Sequence, residues 1–135
     1  MSVIGTAAPD CVAQTPSRRV LLAIFKVDHT LALVDPASLK VLARLPVGPD
    51  PHEVIASPDG QRAYVSNPGY GSFHELNVLD LTAQKALPTI DTTPLLGPHG
   101  LAYVQEKLWF TAQGSKAVGR YAPQTAKVDW SMGTG

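Results

Sequence analysis

The feature of this sequence that most limits what it can fold into is an internal repeat. A short pattern with a lysine five residues after its first member occurs at 35–41, 80–86 and 122–128, at offsets of 45 and 42 residues. A Pro-Asp or Pro-His pair begins at residues 9, 51 and 98, and a Thr/Ser-Pro pair occurs at 15 and 57. The three markers agree on a unit of 42 to 47 residues that occurs three times.

Each unit contains four short runs rich in β-branched and aromatic residues, too short for helices. The predicted strands are 11–14, 20–25, 30–34 and 41–45 in the first unit, 52–56, 62–66, 75–79 and 85–90 in the second, and 100–104, 107–111, 117–121 and 127–131 in the third. The segment Ser57-Pro58-Asp59-Gly60 predicts a turn between the first two strands of its unit. Pro88 lacks an N–H group, so its strand should lie at a sheet edge.

Four antiparallel strands in a repeat of this length indicate a blade of a β-propeller. We therefore predict an all-β chain of three consecutive four-stranded antiparallel sheets, which would make an incomplete propeller. The expected organisation is an N-terminal tail at 1–8 and blades at 9–50, 51–97 and 98–135.

Composition removes several classes of function. Eleven basic residues balance eleven acidic ones, which argues against a basic surface for nucleic acid. No apolar run approaches the ~20 residues of a membrane-spanning helix, and residues 1–8 lack the features of a clear signal peptide. Cys11 is the single cysteine, which excludes an internal disulfide and a cysteine-based zinc site. It is expected to be a small buried residue of the first blade.

Two units carry a family resemblance. The second unit, with Ser57-Pro58-Asp59-Gly60 followed by Ala63-Tyr64-Val65-Ser66-Asn67, resembles a YVTN-type propeller repeat. The third unit, with Gly97-Pro98-His99, Leu108-Trp109-Phe110-Thr111 and Val118-Gly119-Arg120, resembles blades of the streptogramin (virginiamycin B) lyase propellers. Those lyase repeats often have Glu after Trp-Phe-Thr, whereas this chain has Ala112.

The resemblance implies a scaffold whose loops present a surface to a small-molecule or protein ligand. The alternative is a metal-dependent lyase or lactonase-like enzyme. It also implies an extracytoplasmic location, periplasmic or secreted. Such families usually close a ring of about seven blades, so we expect either a fragment of a larger propeller or a homo-oligomer that completes the ring.

Candidate site residues follow from the blade pattern. In each blade, the loop before the first (inner) strand and the loop between the second and third strands lie at the same rim of the propeller. All four histidines fall on or beside these loops. The ligand-binding candidates are His52, His99, Asp10, His29, Asn67, Tyr70 and His74, with Asp28, Phe73 and Lys116 on the same loops.

Two interpretations of the Pro-His pairs stay open. His52 and His99 could point to the channel mouth and, with or without Asp10, hold a divalent metal such as Mg²⁺ or Ca²⁺ or act as acid and base. They could instead be turn elements whose imidazoles bond a neighbouring blade. Adjacent His52 and Glu53 should point to opposite faces, which leaves Glu53 at a solvated strand end.

The remaining conspicuous residues have structural interpretations. Tyr64, Trp109 and Phe110 should pack between blades, with Trp109 and Phe110 on opposite faces of their sheet. Asp35 and Asp80 should cap the turns that follow their strands through their carboxylates.

Overall fold

The computed structural model describes residues 19–135, so the predicted strand at 11–14 and Asp10 lie outside the described residues. Eleven strands and one short 3-10 turn, η1, account for the regular structure of this range. The elements are β1 (Leu21–Phe25), β2 (Thr30–Val34), β3 (Val41–Pro46), β4 (Val54–Ala56), β5 (Arg62–Asn67), η1 (Gly69–Gly71), β6 (Glu75–Asp80), β7 (Lys85–Asp91), β8 (Pro98–Val104), β9 (Lys107–Ala112), β10 (Ala117–Ala122) and β11 (Lys127–Gly133).

The strands form three antiparallel sheets in which neighbours along the chain pair with one another. Sheet 1 is β1-β2-β3, sheet 2 is β4-β5-β6-β7 and sheet 3 is β8-β9-β10-β11. Each sheet falls inside one of the units expected at 9–50, 51–97 and 98–135, whose limits stay a prediction. This consecutive arrangement of small antiparallel sheets is that of β-propeller blades, as the repeat predicts.

The inner strand of sheet 2 begins two residues later than expected, at Val54 rather than His52. His52 and Glu53 both face Ser66: the carbonyl of Ser66 accepts the N–H of His52 at 2.9 Å, and its hydroxyl accepts that of Glu53 at 3.0 Å. The same hydrogen-bonding arrangement occurs in sheet 3, where the Thr111 hydroxyl accepts the N–H of Gly100 at 2.8 Å. A side-chain hydroxyl thus takes the place of a regular ladder bond at the start of both inner strands.

Adjacent sheets are held together by two hydrophobic clusters. The forward face of a sheet is the face that packs on the next sheet along the chain, and the rear face is the opposite one. One cluster joins the forward face of sheet 1, through Leu31, Leu33 and Leu45, to the rear face of sheet 2, through Ala63, Val65 and Leu79. The other joins the forward face of sheet 2, through Tyr64, Leu76, Val78 and Ile90, to the rear face of sheet 3, through Leu108 and Phe110.

Tyr64 and Phe110 pack between sheets as predicted, whereas Trp109 is only half-buried and belongs to neither cluster. Tyr64 and Phe110 are buried between sheets 2 and 3, and Trp109 points to the opposite face of sheet 3 from Phe110. Full burial of a side chain of this size contributes about 1.5–3 kcal/mol to folding, so these contacts are a principal part of what holds the two sheets together.

The repeated lysine pattern corresponds to a repeated hairpin between the third and fourth strands. The residue just before each lysine has a left-handed backbone, with φ of 57° at Leu39, 53° at Gln84 and 54° at Ala126. The carboxylates of Asp35 and Asp80 each accept two backbone N–H groups of their turn at distances of 2.7 to 3.1 Å. The predicted capping role of both aspartates is confirmed.

The turn between β4 and β5 also has the predicted form. The N–H of Gly60 donates to the carbonyl of Ser57 at 2.9 Å, and Gly60 has a φ of 68° that suits glycine. Pro88 lies in β7, the edge strand of sheet 2, beside a break in the β6–β7 register. Its missing N–H therefore removes no regular ladder bond.

Among residues 19–135, no helix is long and apolar enough to cross a membrane.

Candidate ligand site at the rim

The loops that were expected to share a rim do lie at one end of the three sheets. One close contact joins three glycines: Gly71 in the β5–β6 loop, Gly97 before β8, and Gly114 in the β9–β10 loop. A Cβ on Gly114 would come within 1.9 Å of the carbonyl oxygen of Gly71. A Cβ on Gly97 would come within 2.7 Å of the Cα of Gly71. Neighbouring blades therefore meet backbone to backbone at this end.

Asp50 connects three loops of the same rim. Its carboxylate is 2.7 Å from the ammonium of Lys26 in the β1–β2 loop and accepts the backbone N–H of Gly69 at 3.0 Å. The hydrogen bond from Lys26 holds the pKa of Asp50 below its usual value, against a smaller opposing effect of burial. Asp50 lies directly before the Pro51-His52 pair, so it positions the start of the inner strand.

His52 and His99 meet at the point where inner strands β4 and β8 begin. Their imidazole rings have centroids 4.2 Å apart and are inclined at 48°. Nδ1 of His99 is 3.6 Å from Oε1 of Glu53, whose other oxygen accepts the backbone N–H of Leu101 at 3.2 Å. His52 is exposed and His99 half-buried, so both rings are accessible from solvent.

A second group of candidates borders a cavity of about 240 Å³ on the same rim. It is lined by Pro49, Asn67, Phe73, His74 and Glu75. The Asn67 side chain is buried, and its Nδ2 donates to Oδ1 of Asn77 at 2.6 Å. Oδ1 of Asn67 is buried with no hydrogen-bond partner in the described part of the chain.

The other predicted site residues stand apart from the His52–His99 contact. Nδ1 of His74 is 3.1 Å from Oδ1 of Asp91. Backbone and hydroxyl groups of Thr93, with a smaller effect of His74, lower the pKa of Asp91. His29 is exposed in the β1–β2 loop with a φ of 51°, and Tyr70 is almost wholly exposed in the β5–β6 loop.

Sequence reasoning missed three charged residues at this rim: Lys26, Asp50 and Glu53. The prediction that Glu53 ends in solvent holds in part, because 44% of its side chain is exposed, but its carboxylate also lies beside the histidine of the next unit. The sequence contains one indication of this role. When the inner strands of sheets 2 and 3 are aligned, Glu53 corresponds to Gly100, so the carboxylate is specific to the second unit. This difference becomes visible only when the two sheets are aligned residue by residue.

In the range 19–135, no three His, Cys, Asp or Glu side chains are grouped closely enough to hold a metal ion. The two imidazoles supply nitrogen donors, which suit zinc-like ions, whereas Mg²⁺ and Ca²⁺ prefer oxygen ligands.

Comparison with known proteins identifies the fold. No protein-family description and no curated protein matches the sequence. Among solved structures, the chain resembles hydrazine synthase of Kuenenia stuttgartiensis, with a TM-score of 0.74, 21% identity, and coverage of 83% of this chain and 33% of that one. It also resembles the dihydro-heme d1 dehydrogenase NirN in complex with DHE, with a TM-score of 0.69, 18% identity, and coverage of 90% and 27%.

Both of these proteins contain β-propellers. At this level of identity the likeness shows the fold alone, and it supports the assignment of the three sheets as propeller blades. The chain spans about a third of the first structure and about a quarter of the second.

Proposed function

We propose that this chain is a YVTN-like propeller scaffold whose rim binds a small carboxylate-bearing molecule at the contact of His52 and His99. The observation that carries the proposal is the convergence of these two imidazoles, 4.2 Å apart, from equivalent positions of two consecutive blades. Imidazole N–H groups are good donors to a carboxylate.

The polar groups around the two rings leave the imidazole of His52 as a free hydrogen-bond donor for a ligand. Both neighbouring carboxylates already have partners in the chain: Asp50 pairs with Lys26, and Glu53 lies by His99 and accepts a backbone N–H group. His52 makes no side-chain hydrogen bond within residues 19–135, so its ring is available to a ligand. The glycine contact and the Asp50 bonds hold the surrounding loops in place, which reduces the ordering cost of binding.

The test uses acetate, citrate and inorganic phosphate as probes in a titration of the intact 135-residue chain, followed by NMR of the histidine ring protons. We expect citrate or acetate to shift the His52 and His99 signals. His52→Ala and His99→Ala should each weaken binding at least tenfold. His29→Asn, on the same rim but outside the contact, is the matched control and tolerates the left-handed backbone.

The proposal fails if no carboxylate moves the two signals, or if His29→Asn weakens binding as much as the other variants do. A response to phosphate equal to that to carboxylates would indicate general anion attraction and would contradict the stated ligand class.

The alternative is a metal-dependent lyase or lactonase-like enzyme, and the same His52–His99 contact is the observation in its favour. This function needs further ligands for the metal, from a substrate or from residues outside 19–135 such as Asp10. A rise of the melting temperature with Mg²⁺, Ca²⁺, Mn²⁺ or Zn²⁺ that is lost in the His52→Ala, His99→Ala double variant would favour it. No change with any of these ions would exclude it for this chain.

A further inference from the structure

A cavity of about 460 Å³ lies in the outer part of the gap between sheets 2 and 3. The outermost strand of sheet 2, β7, forms much of one wall, with Tyr64 of β5 beside it. Tyr121 of β10 and Ala126 of the following hairpin form the wall from sheet 3. Both walls belong to residues 19–135, and the volume lies within the roughly 300–1,000 Å³ of small-molecule sites.

The gap between sheets 1 and 2 has a cavity at the equivalent place, with a volume of about 350 Å³. The strand registers make Leu22, which borders that cavity, equivalent to Tyr64. Gln84 and Ala126 each border one of the two cavities, and both have a left-handed backbone just before the lysine of their hairpin. The two cavities are therefore repeats of one feature of the fold and can be compared residue by residue.

Three positions around this feature differ in chemistry between the two gaps. The side chains at the first gap are all apolar, whereas the second gap has a guanidinium and two phenols. In the order of the chain, the equivalent pairs are Val20 and Arg62, Leu22 and Tyr64, and Leu79 and Tyr121. Sheets 1 and 2 show that packing at this place needs only apolar residues. The polar set is therefore specific to the gap between sheets 2 and 3 and indicates a role beyond packing.

Arg62 and the two phenols lie close enough to act on one another. Burial raises the pKa of the Tyr64 phenol, and a hydrogen bond with Arg62 opposes this rise. Burial also raises the pKa of Tyr121, on which Tyr64 and Arg62 both act electrostatically. Both phenols are therefore protonated at neutral pH. Because a guanidinium has no acceptor atom, Arg62 donates to the Tyr64 oxygen and keeps other N–H groups for a ligand.

The charge of Arg62 is not paired with a carboxylate. In the part of the chain that the structure describes, no acidic side chain lies within 4.0 Å of its guanidinium. Asp59, on the turn before β5, binds the hydroxyl of Ser57 and the backbone N–H of Gln61. The Ser57 hydrogen bond is the main cause of the lowered pKa of Asp59, and Arg62 has a smaller effect. The guanidinium is therefore available to an anion.

The acidic residue that borders the cavity, Asp91, lies at its other end. Arg62 pairs with Asp80 and Asp91 pairs with Glu75, and these partners are five residues apart on β6, or about 17 Å. Asp91 is also already bound to His74. Between the two ends the walls are apolar, formed by Val78, Leu87, Pro88 and Ile90.

We propose that this cavity binds a small organic acid with an apolar body, such as an aromatic carboxylate. Arg62 and the hydroxyl of Tyr121 hold the carboxylate, and the body lies against Leu87 and Pro88. Hydrogen bonds from arginine to a carboxylate are charge-assisted and among the strongest in proteins. The site lies at the outer strand of sheet 2, apart from the His52–His99 contact at the inner strands, and it does not rest on the function proposed there.

The experiment is a titration of the intact 135-residue chain with benzoate, followed by calorimetry and by NMR of the tyrosine ring protons. We expect benzoate to shift the Tyr64 and Tyr121 signals. Acetate carries the charge without the body, and benzyl alcohol carries the body without the charge. Each should bind at least about tenfold more weakly than benzoate, because each loses one half of the contacts.

Three variants identify the groups that bind. Arg62→Gln should weaken benzoate binding at least about tenfold, and Tyr121→Phe, which keeps the ring and loses the hydroxyl, about threefold. Lys85→Gln removes the same charge from an exposed position of sheet 2 outside the cavity, so it is the matched control and should bind as wild type does. Circular dichroism establishes that the strands of each variant still form.

An absence of benzoate binding would overturn the proposal, as would benzoate that shifts only the His52 and His99 signals. Equal losses of affinity in Lys85→Gln and Arg62→Gln would also overturn it, because they indicate general attraction of anions. Acetate or inorganic phosphate that binds as tightly as benzoate would contradict the stated class of ligand.

Discussion

Glu53 of sheet 2 reaches across to sheet 3, where its Oε1 lies 3.6 Å from Nδ1 of His99. Its second carboxylate oxygen accepts the backbone N–H of Leu101 at 3.2 Å. One side chain thus joins the starts of two inner strands and orients the histidine that meets His52. The residues that form this link are separated by almost a whole repeat along the chain.

Loss of the Glu53 carboxylate should loosen the contact between sheets 2 and 3. Glu53→Ala leaves the half-buried N–H of Leu101 without its acceptor, so we expect the free energy of unfolding to fall by about 1–2 kcal/mol. Glu53→Gln retains an acceptor oxygen and should lose less. Urea unfolding measures both, with Glu75→Ala, an exposed glutamate at the start of β6, as control. Equal effects of Glu53→Ala and Glu75→Ala would contradict this role of Glu53.

The glycine contact at the rim should not tolerate a methyl group. The Cβ of Gly114→Ala would meet the carbonyl oxygen of Gly71 at 1.9 Å, and backbone cannot move aside as a side chain can. We expect a loss of about 1–3 kcal/mol or more in the free energy of unfolding. Gly133→Ala, where a Cβ meets nothing within 4 Å, is the matched control. A Gly114→Ala protein as stable as Gly133→Ala would show that the loops do not pack in this way.

The hairpin cap at Asp80 should be worth a measurable amount on its own. Asp80→Ala removes the acceptor of two backbone N–H groups, those of Thr82 and Ala83. We expect a loss of about 1 kcal/mol, since these groups can bond water instead. Asp80→Asn keeps an acceptor oxygen and should recover most of the stability in thermal unfolding. Identical melting of the alanine and asparagine variants would argue against the capping bonds.

Ionisation of Asp50 should make the free energy of unfolding depend on pH in the acid range. Its folded-state pKa lies below the unfolded value, chiefly through Lys26, so ionised Asp50 stabilises the fold above the unfolded pKa of about 3.8. That stabilisation disappears as the pH falls through the folded-state pKa. Asp50→Asn should therefore have a lower free energy of unfolding than wild type at pH 7, by about 0.5–1 kcal/mol, and the difference should shrink as the pH falls below 3.8.

The control for this pH series is Asp28→Asn, an exposed loop substitution that should melt with wild type throughout. A gap between wild type and Asp50→Asn that keeps its size down to pH 2 would mean that the charge of Asp50 is not the cause.

Comparison of prediction and structure shows why some parts of the rim were predictable. The four histidines were placed on one set of loops from the strand pattern alone, and the structure puts His52 and His99 in contact. The partners of those histidines were not predictable, because Glu53 finds His99 through the packing angle of two sheets. Pairing of Asp50 with Lys26 likewise joins two loops that no local pattern connects.

What the sequence by itself determined was everything that depends on neighbours along the chain. The alternation of apolar residues, the Asp80 and Ser57 turns and the positive-φ position before each lysine recur at one period, and they specify strands, hairpins and blades. Only the tertiary structure decided which side chains meet between blades. The Gly71–Gly114 approach, the link from Glu53 to His99 and the cavity beside Arg62 and Tyr121 depend on how sheets stack, and the free energy of stacking is shared among many non-local contacts.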